Sequence, residues 1–239
     1  MLIQKKIIAM EKVSKGELER VLKLFIVDRQ LEKRYASFDF CYNYFYTHKG
    51  HLVGENMQTS CMHLWAYLAS WGMLRGSAQL LQCSPASLKP LIELFEKTDI
   101  AVWKIDVDTY TKENIEILIN TYKSIEQILS SINVKATKTL VTKIMLGVFE
   151  NVPAYDAYFT TTARKEFISE TTCGFRSFSK DSLECISLFY NKNKSFFDSY
   201  KINVIDFDGQ STKLLYSKAK LIDMYGFIKG QEIENNNQK

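Results

Sequence analysis

The residues of this sequence that could carry chemistry are concentrated in residues 137–159, which read TKTLVTKIMLGVFENVPAYDAYF. Asp156 follows a Val-Pro turn at a position typical of a helix N-cap, where its carboxylate can accept from exposed amides and the helix dipole favours its charge. Lys135, Lys138 and Lys143 precede it with no acid between them. Such a carboxylate can activate water or stabilise a developing positive charge, and a lysine with a depressed pKa can act as an amine nucleophile.

Two helices and a tight turn are predicted to position these groups. The sequence bends at 151–153 because Pro153 cannot lie inside a helix. The second helix is predicted to begin at Asp156 and to continue to about Ile168, and it carries Arg164 and Lys165. The first helix has a broad apolar band at helical spacing, formed by Leu140, Val141, Ile144, Met145, Val148 and Phe149.

This arrangement resembles the helix-hairpin-helix superfamily of DNA glycosylases, and the oxoguanine-type members most closely. In that family a Thr-Lys pair precedes an apolar helix, which leads through a Val-Pro-x-Asp-like turn to a catalytic Asp at the next helix start. Thr137 and Lys138 match the pair, and residues 152–156 (Val-Pro-Ala-Tyr-Asp) match the turn. The family's Gly-x-Gly hairpin, which presents backbone amides to a DNA phosphate, is replaced here by Asn-Val-Lys-Ala at 133–136.

The resemblance implies a mechanism and a set of site residues. Asp156 would be the catalytic carboxylate, and Lys138, ahead of Lys143, would be the amine nucleophile of a lyase step. A target base would be flipped out of double-stranded DNA into a cleft. The residues expected to contact DNA are Lys135, Lys143, Arg164 and Lys165, and those expected to stack on the base or line its pocket are Tyr155, Tyr158, Trp71 and Arg75.

The remaining sequence predicts an all-α fold, a single compact multi-helix domain with nine or ten helices and no series of strands. The domain is predicted to span residues 1–229, followed by a polar, disordered tail at 230–239. In the glycosylase family two helical lobes flank a cleft, and the N-terminal part shares a lobe with the C-terminal helices. Further helices are predicted at 15–35, 57–82, 85–97, from Thr109 or Thr111 to 132, at 181–199 and at 211–227.

The most apolar of these helices, at 57–82, carries the predicted pocket residues from outside the central segment. Arg75 follows Trp71 by one helical turn and is expected to stack on its ring. Gly72 and Gly76 are also one turn apart, so they are expected to let a neighbouring backbone approach closely.

Composition limits the remaining choices. The net charge of +4 over 239 residues permits a nucleic-acid partner without demanding one. Five scattered cysteines form no Cys-x-x-Cys pair, and no third ligand joins His48 and His51, so neither a metal site nor a cofactor is predicted. Cysteine usage of this kind favours a reducing cytoplasm. The N-terminal residues have no long apolar run, which predicts neither a signal peptide nor a membrane anchor.

Two functions of different classes therefore stay open. The first is a DNA-binding protein of helix-hairpin-helix glycosylase-like fold, which acts on damaged or modified bases or only binds nucleic acid. The second is a non-catalytic helical interaction or regulatory protein without nucleic-acid chemistry. In the second interpretation Asp156 is simply a helix cap and Lys138 is a solvated lysine.

Overall fold

The computed structural model describes residues 12–75, 80–167 and 173–237. It is 68% helical, which confirms the predicted all-α fold class. The α-helices are α1 (Lys15–Asp28), α2 (Ala36–His48), α3 (Met57–Ser70), α4 (Lys89–Lys97), α5 (Lys112–Ser131), α6 (Lys138–Phe149), α7 (Ala157–Thr162), α8 (Lys180–Lys192), α9 (Lys194–Ser199) and α10 (Lys218–Asn237). A π-helical turn at Ala163–Phe167 continues α7. No helix in the described ranges has the length and apolarity needed to cross a membrane.

The predicted helix at 211–227 is wrong in its first part, which is a strand. Within the described residues, β1 (Asn203–Ile205) and β2 (Ser211–Leu215) form a two-stranded antiparallel sheet. Gly209 has a φ of 77° and its amide donates to the carbonyl of Asp206 at 3.0 Å. A left-handed glycine closes this reverse turn, so the chain folds back as a hairpin.

The hairpin is attached to the helices through a buried acid on α2. The carboxylate of Asp39 is fully buried and accepts hydrogen bonds from Arg29 at 3.1 Å, from the Tyr216 hydroxyl at 2.6 Å and from the Ile205 amide at 3.0 Å. Loss of solvation raises the pKa of Asp39, since it outweighs the opposing influence of the Arg29 guanidinium. Three donors on one carboxylate therefore fix the hairpin to α2.

Two helices end earlier than the sequence predicted. The helix predicted at 15–35 ends at Asp28, and the one predicted at 57–82 ends at Ser70. Gly72 adopts a φ of 74° and nothing lies within 4 Å of its Cβ position, so it follows the end of a helix and does not support close packing. Gly76 lies outside the described residues.

The predicted tail at 230–239 is wrong for residues 230–237, because they belong to α10. Residues 238–239 lie outside the described part. Two glycines on one face of α10 explain the packing of this helix against α7. A Cβ on Gly226 would lie 2.4 Å from Phe159 Cδ2, and a Cβ on Gly230 would lie 2.1 Å from the carbonyl oxygen of Tyr158. Backbone contact of this kind excludes any side chain at position 230.

We expect Gly230→Ala to destabilise the protein by at least about 1–3 kcal/mol, because the added methyl group forces α7 and α10 apart. Urea unfolding measures the effect. Gly16→Ala is the matched control, since nothing lies within 4 Å of a Cβ at position 16 in α1, and alanine has the higher helix propensity. Equal stability of the two variants would show that the α7–α10 contact is not close.

The first and last described helices lie side by side. The Glu17 carboxylate on α1 accepts from Lys229 of α10 at 2.5 Å, and Arg20 donates to Glu232 at 2.7 Å. These contacts place the two ends of the described chain together.

Candidate functional site

The segment predicted to carry the chemistry folds as helix, turn and helix. Thr137 caps α6 by accepting from the Leu140 amide at 3.2 Å, and Asp156 caps α7 by accepting from the Phe159 amide at 2.9 Å. The predicted N-cap position of Asp156 is thereby confirmed. Glu150 ends α6 in the left-handed region, with a φ of 54°.

The turn between the two helices is fixed by side chains from both sides. Thr142 accepts from the Tyr155 amide at 2.8 Å, and the Thr139 hydroxyl donates to the Tyr155 carbonyl at 2.9 Å. From α10, Asp223 Oδ1 accepts from the Ala154 amide at 3.0 Å. The backbone immediately before Asp156 is therefore held to α6 and to α10.

Lys143 is the lysine that contacts Asp156. Its Nζ lies 3.2 Å from Asp156 Oδ2, and the two side chains are 5% and 15% exposed. Lys143 therefore does not lie at the surface, where the predicted contact with a DNA phosphate would require it. The reason is that α6 is buried on all sides from Leu140 to Phe149, so its polar residues must find internal partners.

Lys138, the predicted nucleophile, points elsewhere. It is five positions before Lys143, which is a rotation of about 140° around a helix. Its ammonium donates to the carbonyl of Phe175 at 2.5 Å. Partial burial lowers the pKa of Lys138, and the nearby Arg164 charge lowers it further. A lowered pKa suits an amine nucleophile, but Lys138 contacts the Phe175 carbonyl and not Asp156.

Aromatic rings and cations converge on Trp71, the C-cap residue of α3. The ring of Tyr35 stacks on it with centroids 5.3 Å apart, and Phe227 meets it edge-on at 5.5 Å. The Lys143 and Lys220 ammonium groups lie 4.6 Å and 5.8 Å from its ring centroid. We call these five residues the Trp71 cluster; Lys143 joins the cluster to Asp156.

Some of the predicted pocket residues lie at the Trp71 cluster and others do not. Tyr158 meets the cluster at Phe227, with ring centroids 5.3 Å apart. Tyr155 does not: it is fully buried and its hydroxyl donates to Ser182 at 2.9 Å, so it is a core residue and not a base-stacking one. Arg75 is exposed and contacts no ring of the described residues, because α3 ends before Trp71 and helical spacing no longer applies.

A second buried ion pair, on α10, was not predicted. Lys220 lies 3.0 Å from Asp223 with 1% of its side chain exposed, and its ammonium is 4.1 Å from the ring centroid of Phe38 and 4.7 Å from that of Phe25. The signal was present in the sequence as two opposite charges three residues apart in the apolar run KAKLIDMYGF. Such a pair inside an apolar run indicates an internal salt bridge.

The turn between α5 and α6 contains no glycine and has a left-handed asparagine instead. Asn133 has a φ of 58°, and the Val134 amide donates to the Leu129 carbonyl at 2.9 Å, which is the hydrogen bond that closes a Schellman motif. The amides of Lys135 and Ala136 donate to no backbone acceptor among the described residues. Asparagine is the non-glycine residue that most readily takes this conformation.

The other predicted basic residues lie on the surface. Lys135, Arg164 and Lys165 are exposed. Arg164 Nε donates to the carbonyl of Gly174 at 2.5 Å, so the guanidinium is partly engaged. Among the described residues no group of three or more His, Cys, Asp or Glu side chains could hold a metal ion.

Glu150 is expected to make the stability of the protein depend on pH. Its carboxylate is buried without an ion-pair partner, and desolvation raises its pKa well above the usual 4.5. A folded-state pKa above the unfolded one means that stability is highest at low pH and falls as pH rises. We expect Glu150→Gln to be more stable than the native protein at neutral pH, with the difference vanishing toward about pH 4.

Urea unfolding between about pH 4 and about pH 8 tests this expectation. The exposed Glu184→Gln is the control and should show no comparable pH-dependent gain. A Glu150→Gln variant whose difference from the native protein does not change with pH would contradict the assignment.

No family model, curated protein or solved structure matches this chain. The relationship to helix-hairpin-helix glycosylases is therefore a hypothesis carried by residues 137–159 and by the geometry around Asp156.

Proposed function

We propose that this chain is a helix-hairpin-helix glycosylase-like protein that binds double-stranded DNA and acts on a damaged or modified base at Asp156. The observation that carries the proposal is the placement of Asp156. It is a partly exposed carboxylate at the start of a helix, paired with the buried Lys143 at 3.2 Å, beside the Trp71 cluster.

The α5–α6 turn supplies the features that a DNA phosphate needs. The amides of Lys135 and Ala136 are unbonded within the described backbone, and they precede the N-terminus of a twelve-residue helix. Amides and the helix dipole together favour an anion at such a position. The exposed Lys135 adds a positive charge. Contacts of this kind position a duplex without reading its sequence.

Asp156 supports the chemistry through its orientation. Its Oδ1 is held by the Phe159 amide and its Oδ2 by Lys143, so the carboxylate has a fixed direction. In base release it would stabilise the positive charge that develops on the sugar or activate the attacking water. Trp71 and Tyr158, which are partly exposed, would contact the extruded base.

The salt dependence of duplex binding tests the DNA partner. We expect binding to weaken as salt rises, because lysines that contact phosphates release counterions. A Lys135→Glu and Lys165→Glu double variant should lose most of the affinity. Lys112→Glu, an exposed lysine at the other end of α5, is the matched control. Equal affinities for the native protein and the double variant would remove this surface from the proposal.

The identity of the nucleophile is tested by borohydride trapping. If a lyase step occurs, we expect Lys143 to form the covalent adduct, because it is the amine in contact with Asp156. Trapping should then be lost in Lys143→Gln and retained in Lys138→Gln. The opposite result would restore the assignment of Lys138 that the sequence resemblance implied.

A second candidate is a non-catalytic helical interaction protein, and one observation favours it. Lys143 is satisfied by Asp156, and Lys138 by the Phe175 carbonyl, as in a purely structural core. Absence of both base release and duplex binding would select this candidate. For either function we propose a reducing compartment such as the cytoplasm, which the five free cysteines support.

A further inference from the structure

Arg34 is an exposed residue in the connection between α1 and α2, and it lies against the Trp71 cluster. Its guanidinium carbon is 5.3 Å from the centroid of the Tyr35 ring and 5.6 Å from the centroid of the Trp71 ring. Stacking on two rings restricts the guanidinium to one region while leaving its N–H groups directed to solvent.

Among the described residues the Arg34 guanidinium has no acceptor. The neighbouring charges Lys33 and Asp28 pair with each other at 3.3 Å, whereas Arg34 forms no ion pair within residues 12–75, 80–167 and 173–237. The indole Nε1 of Trp71 is buried and is likewise without a hydrogen-bond partner there. Two donors, one charged, thus lie close together without an acceptor.

Space for a ligand lies beside Arg34. A cavity of about 290 Å³ is lined by Asp28, Lys33, Arg34 and Tyr35. Lys33 and Arg34 give the cavity two positive charges and Asp28 gives it one negative charge, so the cavity favours an anion. Arginine presents a planar fork of donors that matches the oxygens of a phosphate, and lysine does not.

We propose that Arg34 binds a phosphodiester of the DNA strand that carries the extruded nucleotide. This inference rests on the proposed function. Lys143 connects the Trp71 ring, on which Arg34 lies, with Asp156. Its ammonium is 4.6 Å from the centroid of the Trp71 ring and 3.2 Å from Asp156. A nucleotide whose sugar reaches Asp156 would therefore have its flanking phosphate on the Arg34 side of the cluster.

The test uses a thymidine dinucleotide and its methylphosphonate analogue, which has the same shape but no charge at phosphorus. Binding is followed at the Trp71 indole N–H by nuclear magnetic resonance, with Trp71→Phe to assign the signal. The native protein should bind the phosphodiester about tenfold or more tightly than the analogue, as expected for charge-assisted hydrogen bonds. Arg34→Gln should abolish that preference, and Arg34→Lys should retain only part of it.

Arg75→Gln is the matched control. It removes an exposed guanidinium that is close to Trp71 in sequence but contacts no ring of the described residues. Equal binding of the two dinucleotides, a preference that survives Arg34→Gln, or no change at the indole up to millimolar ligand would each overturn the proposal. A phosphodiester preference in a protein without duplex binding or base release would retain the Arg34 site and reject the proposed function. Duplex binding and base release without a phosphodiester preference would retain the proposed function and reject the Arg34 site.

Discussion

Asp156→Asn is expected to abolish base release while leaving the cap of α7 and duplex binding intact. Asparagine also caps helices well, so the hydrogen bond from the Phe159 amide should persist. The negative charge that would stabilise the sugar cation is lost, and the rate should fall by at least about 100-fold. Single-turnover assays on a panel of damaged and mismatched duplexes measure the effect.

The matched control is Asp208→Asn, an exposed acid at the β1–β2 turn. Its rate should equal that of the native protein. Base release that survives Asp156→Asn would show that another carboxylate is used. A native protein that releases no base from any duplex would instead favour a non-catalytic role, with Asp156 as a helix cap.

The largest stability effect is expected from Asp223→Ala. The buried Lys220 would lose its ion-pair partner, and the Ala154 amide would lose its acceptor. Leaving one charge of a buried pair uncompensated typically costs about 3–5 kcal/mol. Replacing both charges, with Lys220→Met and Asp223→Leu together, should cost much less because no buried charge remains.

Urea unfolding of these variants is compared with Asp28→Ala, which breaks an exposed pair. Asp28 and Lys33 have side chains 52% and 48% exposed, so solvent screening limits their contribution to at most about 1 kcal/mol. If Asp223→Ala costs no more than Asp28→Ala, the α10 pair does not hold the turn that leads to Asp156.

Local capping chemistry was predictable from the sequence. Asp156 caps α7 as predicted, and Thr111, one of the two predicted start positions, caps α5. An N-cap bond spans only three residues, so the local sequence is enough to indicate it. Helix ends were less predictable, as the left-handed Gly72 and the strand at 211–215 illustrate.

Contacts between distant segments could not be predicted. The sequence places Lys138 and Lys143 on different sides of α6, but which side meets Asp156 depends on how α7 packs. Arg34 and Lys220 reach the Trp71 cluster from opposite ends of the chain. Their side chains carry no local signal of a shared partner.

The effect of the missing glycines depends on backbone conformation, which residue types alone do not give. The Gly-x-Gly hairpin is a requirement on backbone conformation, and Asn133 meets part of it with a φ of 58°. A comparison of residue types alone treats this position as a mismatch, whereas the backbone shows a turn with unbonded amides.

Titration of isotope-labelled protein with an undamaged DNA duplex tests the central claim most directly. The backbone amides of Lys135 and Ala136 report on the phosphate site, and the Trp71 indole reports on the cluster beside Asp156. We predict salt-sensitive chemical-shift changes at both places, and loss of the first set in Lys135→Glu. Changes confined to another surface, such as the exposed Phe207 at the β1–β2 turn, or no changes at low salt, would contradict a DNA-binding protein that acts at Asp156.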